Sequence, residues 1–385
     1  MLQFDGEIPS KLPQVGLSIF AVMSKMAAEH QAVNLSQGFP DFPIAEQLIQ
    51  RVNHYMKKGF NQYAPMPGIK PLRDAISEKV FNSYKLRYDS ENEITVTAGA
   101  TQALYTAITA FIREGDEVII FEPAYDSYAP AVKSCGGMVK YASLTSPDFK
   151  YNWQEVRQMI TNRTRMIIIN SPHNPTGSLL TAEDLQQLEK LTCQTDILVL
   201  SDEVYEHLVF DGKQHESVCR YPELARRSLV VASFGKTFHA TGWKLGYILA
   251  PANLMQEFRK LHQFVVFAIN TPIQYAIADF LKNTENFLQL GDFYQQKRDA
   301  FLEKVKPSRF KMIPSYGTYF QLLDYAPISD LPEMEFAKKL IKEYGIAAVP
   351  ISPFYNRHNE QHLLRFCFAK TDETLTKAAE ILCKI

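Results

Sequence analysis

The chain has 385 residues, room for two or three domains at ~150 residues each, and its 46% hydrophobic and 22% charged content excludes a disordered or collagen-like polymer. With 41 basic and 42 acidic side chains the formal net charge is −1, so no global field draws the protein to nucleic acid or to an anionic membrane. The five cysteines, odd in number, scattered and without a CxxC pair, read as reduced thiols of a cytoplasmic protein.

The N-terminal MLQFDGEIPSKLPQVG is acidic and broken by prolines, and no run approaches ~18 uncharged apolar residues, so neither secretion nor membrane insertion is expected. Strands are predicted at Ile94–Thr97, Val118–Phe121, Met138–Ala142, Met166–Ile169, Ile197–Leu200, Leu229–Ala232 and Tyr247–Ala250. Several are short, nearly all-apolar runs suited to a strand covered on both faces. Between the first two, Thr101–Ile112 is apolar at Ala103, Leu104, Ala107, Ile108 and Phe111 with Gly115 just beyond, the pattern of an amphipathic helix with a C-terminal stop.

Strands alternating with helices imply a mostly parallel sheet with right-handed crossovers, whose ligands collect beyond the carboxyl ends of the strands. After a helix at Phe293–Phe301 the pattern shortens. Strand-like Thr318–Leu323, a helix over Glu333–Tyr344, strand-like Ala347–Pro350 and Leu363–Cys367, and a closing helix from Asp372 suit a smaller α+β domain. The expected fold is α/β: a large domain over residues 41–285 with a mostly parallel central sheet flanked by helices, and a small α+β domain over residues 286–385. Residues 1–40 form an arm that belongs with the small domain.

Chemistry concentrates just after predicted strands. Gly99-Ala100-Thr101 opens a helix, where unpaired N–H groups and the positive end of the helix dipole make an anion seat; an ordinary turn capped by Thr accounts for it equally well. Neither GxGxxG nor GxxxxGK[ST] occurs, which argues for a single phosphate rather than a dinucleotide or P-loop site. Asp202 ends a buried strand, where a carboxylate is costly without a cation or several donors; capping the next helix is its plain alternative. Lys236 follows VVASFG, a place where a partly desolvated ammonium loses proton affinity and becomes an amine nucleophile, although most single lysines are solvated surface groups.

Taken together these residues fit pyridoxal 5'-phosphate. That cofactor needs an amine for a Schiff base, a carboxylate for its pyridine nitrogen, a phenol or amide for its ring hydroxyl and a cradle for its phosphate. Lys236, Asp202, Tyr205 with Asn174, and Gly99–Thr101 with Ser233 and Lys244 supply that set.

The chain resembles fold-type I pyridoxal-phosphate enzymes of the class I/II aminotransferase family, and more narrowly their methionine and kynurenine aminotransferase branch. The resemblance runs from about Ser10 to the C-terminus through NLSQGFPDFP (34–43), NQYAP (61–65), TAGATQALY (97–105), EPAYDSYAP (122–130), NSPHNPTG (170–177), SDEVYEH (201–207), SFGKTFHATGWKLG (233–246) and LRFCFAK (364–370). It implies that Lys236 carries the cofactor and later moves the proton. It also implies that Asp202 pairs with the ring nitrogen, that Asn174 and Tyr205 hydrogen-bond the ring oxygen, and that Tyr125 stacks on the ring face.

By the same resemblance Gly99, Ala100, Thr101, Ser233 and Lys244 hold the phosphate. Arg365 grips the substrate carboxylate, assisted by Asn170 and the backbone at Gly38, and Phe20 adds wall from the N-terminal arm. Tyr63 reaches the site of a neighbouring subunit, which implies a homodimer with shared active sites. Two positions depart from many class I members: Lys244 stands where Arg is common, which reads as a branch marker, and His239 stands where a small residue is common and reads as packed or surface.

Enzymes acting on aspartate or glutamate need a second cation, whereas Phe264–Asn270 (FVVFAIN) contains none. With Ile19, Phe20, Phe39, Tyr63 and Tyr125 as further wall, although Ile19 and Phe39 are equally readable as core, an apolar or sulfur-containing donor is favoured. The expected reaction moves the amino group of methionine and aromatic amino acids, with kynurenine, histidine and glutamine as further donors, to a 2-oxo acid. The alternatives are a C–S β-lyase of cysteine conjugates using the same cofactor, and, more remotely, a non-catalytic ligand-binding regulator on this fold. No metal is expected, since the nine histidines show no HExxH.

Overall fold

The computed structural model describes residues 2–357 and 359–385; Met1 and His358 lie outside the described residues. Seven strands form the central sheet in the order Ile94–Thr97, Gly246–Leu249, Ser228–Ser233, Leu198–Asp202, Thr164–Asn170, Glu117–Glu122, Met138–Ser143. All neighbouring pairs are parallel except those made by Gly246–Leu249, which runs against both its neighbours.

The near-continuous apolar runs follow from burial on two faces. Ile119, Phe121, Ile167, Ile169, Val199 and Val230 face one core, and Val118, Ile120, Met166, Ile168, Leu198 and Leu229 face the other. Because side chains alternate along a strand, one sequence run serves both layers, and each fully buried Val, Leu or Ile contributes about 1.5–3 kcal/mol. The second core is closed by Ala100–Phe111, which presents Ala103, Leu104, Ala107, Ile108 and Phe111, and by Met255 and Phe258 of Ala252–Val265.

A second, antiparallel sheet runs Val349–Pro350, Leu363–Cys367, Phe320–Asp324, Lys311–Met312. The N-terminal arm joins it: Val33–Asn34 pairs in parallel with Ile346–Ala347, and Cys367 donates its backbone N–H to Leu35. The expected single strand Ala347–Pro350 is therefore two pieces on either side of Ala348: Ile346–Ala347 forms a separate two-stranded sheet with Val33–Asn34, and Val349–Pro350 edges the antiparallel sheet. The helix expected over Glu333–Tyr344 is α-helical only to Lys339 and ends in one wider turn, Leu340–Tyr344, stopped by Gly345 in the left-handed region. Among the described residues no helix is long and apolar enough to cross a membrane.

Candidate active site

The carboxyl ends of the central strands deliver their side chains to one cavity of about 220 Å³, lined among others by Gly99, Asn170, Asp202, Ser233, Lys236 and Lys244. Ile94–Thr97 leads through Gly99 into the helix Ala100–Phe111. Gly99 has a φ of +77° and no side chain caps the helix start, so its first N–H groups open on the cavity beside Lys244. Gly246 lets this turn approach the sheet, since a Cβ there would stand 2.7 Å from the Ala232 carbonyl oxygen and 3.1 Å from the Ala100 nitrogen.

Asp202, the last residue of its strand, is buried. It takes a 2.6 Å hydrogen bond from the Tyr128 hydroxyl and a 3.3 Å bond from the Val204 N–H. Among the described residues no Lys, Arg or His forms an ion pair with it, and burial pushes its carboxyl up to about 6. A cationic partner is what this carboxylate lacks.

Lys236 stands on the single turn Phe234–Thr237 after the Ser228–Ser233 strand. Its Nζ donates to the Tyr319 hydroxyl at 2.7 Å and to the Gly38 carbonyl at 3.1 Å, and burial lowers its pKa to about 8. Tyr205, Tyr125, Thr101 and Asn174 line the same cavity. Asn174 Oδ1 accepts from Arg365 Nη1 at 2.7 Å, which leaves its Nδ2 to donate.

Arg365 lies fully buried behind Asn174, which lines the cavity. Its guanidinium carbon sits 3.8 Å from the Phe320 ring centre and 4.9 Å from that of Phe20, Nη2 donates to the Ser36 carbonyl, and Nε has no partner. A buried guanidinium with an unused N–H is suited to a carboxylate. The Gly38 carbonyl accepts from Lys236, and Gly38 packs against the Phe320 ring over which Arg365 lies. Asn170 is a brace: Nδ2 donates to the Asp202 carbonyl and Oδ1 accepts from the Asn174 N–H, both at 2.8 Å.

Other expected wall residues lie elsewhere. Tyr63, 82% exposed, packs edge-on against Phe267 outside the cavity, and Phe264 in the FVVFAIN segment is 85% exposed. Phe39 is neither core nor wall; its carbonyl accepts from Lys370, whose Nζ also lies over its ring. His239 packs edge-on against Phe42 and hydrogen-bonds the Tyr294 hydroxyl at 2.9 Å.

The sequence reading missed two features. Beneath the cavity Glu206 takes Lys79 at 2.8 Å, Tyr84 at 2.6 Å and Tyr247 at 3.1 Å, while Glu203 takes Ser201, His215 and the Val218 N–H. In SDEVYEH, then, Asp202 and Tyr205 face the cavity and Glu203 and Glu206 anchor the turn below; the acids one and four positions after Asp202 were the signal. Tyr319, the partner of Lys236, carried no signal, because it is one aromatic residue in a strand-like run.

The donor set fits pyridoxal phosphate: a desolvated amine, a buried carboxylate lacking a cation, a phenol and an amide, and a cationic helix start share one cavity. Comparison with known proteins points the same way. The family described as Aminotransferase class I and II matches residues 30–382. The chain is 49% identical to the methionine aminotransferase of Escherichia coli, covering 97% of each chain, and 34% identical to human kynurenine–oxoglutarate transaminase 1, covering 94% of each. A crystal structure from Escherichia coli described as identifying a methionine aminotransferase function superposes with a TM-score of 0.96 at 48% identity, over 99% of this chain and 100% of that one.

Proposed function

This chain belongs to the class I and II aminotransferases, and on that premise we propose that it moves the amino group of methionine and aromatic amino acids to a 2-oxo acid. It is a pyridoxal-phosphate-dependent transaminase; the donor preference and the residue roles below are our reading. Pyridoxal phosphate, when bound, supplies an electrophilic aldehyde and an electron-withdrawing ring that stores the amino group.

In this reading the Ala100 and Thr101 N–H groups, the Ser233 hydroxyl and Lys244 Nζ hold the phosphate, with Gly99 allowing the close approach. The Asp202 carboxylate holds the ring nitrogen in its protonated form, which gives the buried acid the cation it lacks. Tyr205 and Asn174 Nδ2 donate to the ring oxygen, and Tyr125 covers a ring face. Lys236 Nζ is the nucleophile and afterwards moves the proton at the substrate α-carbon; a proton affinity near neutrality suits an atom that must both take and give it.

Arg365 binds the substrate carboxylate through its unpartnered Nε. One observation carries the donor preference: the Arg365 guanidinium is surrounded by the Phe20, Phe320 and Phe354 rings. Among the described residues the only lysines or arginines lining the cavity are Lys236 and Lys244, both already assigned. A donor with a distal carboxylate would bury it without a partner, at several kcal/mol. Measured kcat/KM should favour methionine and phenylalanine over glutamate; a glutamate value tenfold above that of methionine would overturn the preference.

Residues 41–285 serve in this reading as the cofactor-binding domain, and residues 286–385 with the 1–40 arm as the smaller one. Tyr63 and the exposed Phe264–Phe267 surface face a second copy, so that a homodimer with shared sites is the active unit. Five free cysteines support a cytoplasmic location.

A further inference from the structure

The Lys236 amine is held by two acceptors that the protein fixes without help from any ligand. Tyr319 is fully buried, with its ring edge-on to Tyr205 at 5.1 Å and to Phe320 at 4.9 Å between centroids. Its hydroxyl hydrogen is directed to the Gly38 carbonyl, so the oxygen lone pairs face Nζ. Gly38 is itself confined, since a Cβ there would stand 2.8 Å from the Phe320 ring, and its neighbours are tied by Arg365 to the Ser36 carbonyl and by Lys370 to the Phe39 carbonyl.

We propose that Tyr319 is a positioning residue for the transaminase lysine: its hydroxyl and the Gly38 carbonyl form a cradle that receives the Lys236 amine whenever it is free of the cofactor and strengthens its hold on a proton. The inference rests on the reading of Lys236 as the cofactor-bearing amine. Two acceptors at Nζ favour the ammonium over the neutral amine. Burial works against them and is the largest influence on this group; Arg365 from the Leu363–Cys367 strand and Lys244 also oppose the charge, while Asp202 and Cys367 favour it and the Tyr205 ring lies 5.5 Å away. Among the described residues Tyr319 and Gly38 are the hydrogen-bond partners of the amine, so their removal should be felt directly.

The cradle has a mechanistic consequence. Once the substrate amine has replaced it on the cofactor, Lys236 must stay near the reacting atoms and exchange a proton there, and a fixed pair of acceptors keeps so long and flexible a side chain in place.

The test is competitive acetylation of the cofactor-free full-length protein with acetic anhydride across pH, with the Lys236 peptide read by mass spectrometry. The wild-type midpoint should fall near about 8. In Tyr319→Phe it should fall by about one pH unit, raising labelling at pH 7 about fivefold. Tyr319→Met also lacks the hydroxyl and should give the same displacement, so a folding failure of one variant leaves the other to decide. An unchanged midpoint in a folded variant, with exposed lysines labelling as in the wild type, would overturn the cradle. Because no cofactor takes part, this result is separate from the cofactor assignment, which the absorption of wild-type protein with pyridoxal phosphate decides.

Discussion

The Tyr128 hydroxyl donates to Asp202 Oδ2 at 2.6 Å, and this neutral phenol is the strongest partner the protein gives that buried carboxylate. Burial therefore dominates and holds the Asp202 carboxyl at about 6 in the cofactor-free protein. A carboxyl with a folded-state pKa raised above its unfolded value favours folding fully below the unfolded value of ~3.9, and that contribution is lost as the pH rises through about 6. Asp202→Asn should thus make the cofactor-free protein more stable by about 3 kcal/mol near pH 7, with the difference vanishing below about pH 4. The same variant should bind pyridoxal phosphate more weakly. Denaturant unfolding across pH checks the first claim; equal stability at all pH values would show that the site stores no such cost.

The Lys79–Glu206 pair beneath the cavity makes the opposite case. Burial alone would raise the Glu206 carboxyl, but Lys79 beside it and the Tyr84 hydroxyl hold it well below the usual range. A depressed carboxyl contributes stability above its unfolded pKa of ~4.3 and loses it as the pH falls through the folded value. Lys79→Met leaves a buried, uncompensated charge and should cost about 3–5 kcal/mol near pH 7. That deficit should narrow toward about pH 5, as Glu206 in the variant takes up a proton. Thermal unfolding of both proteins at the two pH values provides the comparison, and a constant deficit would point to lost packing instead.

Tyr63 offers a test of the shared site. Tyr63→Ala and Lys236→Ala should each be nearly inactive alone. If the active unit is a dimer that exchanges Tyr63 between subunits, mixing and refolding the two variants should restore about a quarter of wild-type activity, because half of the dimers are mixed and each keeps one intact site. No recovery in a mixture shown by native mass spectrometry to contain mixed dimers would place Tyr63 outside the partner's site.

Much of the fold was legible because two physical rules govern it. Strands buried on both faces read as continuous apolar runs, and the residues at and just past their carboxyl ends, Asp202, Ser233 and Lys236 among them, come together around one cavity. What stayed hidden depends on contacts distant in sequence. Tyr319 meets Lys236 across 83 positions, and Lys79 meets Glu206 across 127. Phe39 looked like wall because it is aromatic and adjoins Gly38, yet its ring turns toward Lys370. The Phe264–Phe267 segment was apolar for a surface of the chain, not for the cavity of the same chain.

The account stands most directly on Lys236, and the visible absorption of purified protein tests it. With pyridoxal phosphate the wild type should show the yellow band of a covalently attached cofactor, lose it on adding methionine and regain it with a 2-oxo acid, while Lys236→Ala should show no such cycle. A wild type that stays colourless, or a Lys236→Ala protein that cycles like the wild type, would contradict the assignment and every residue role built on it.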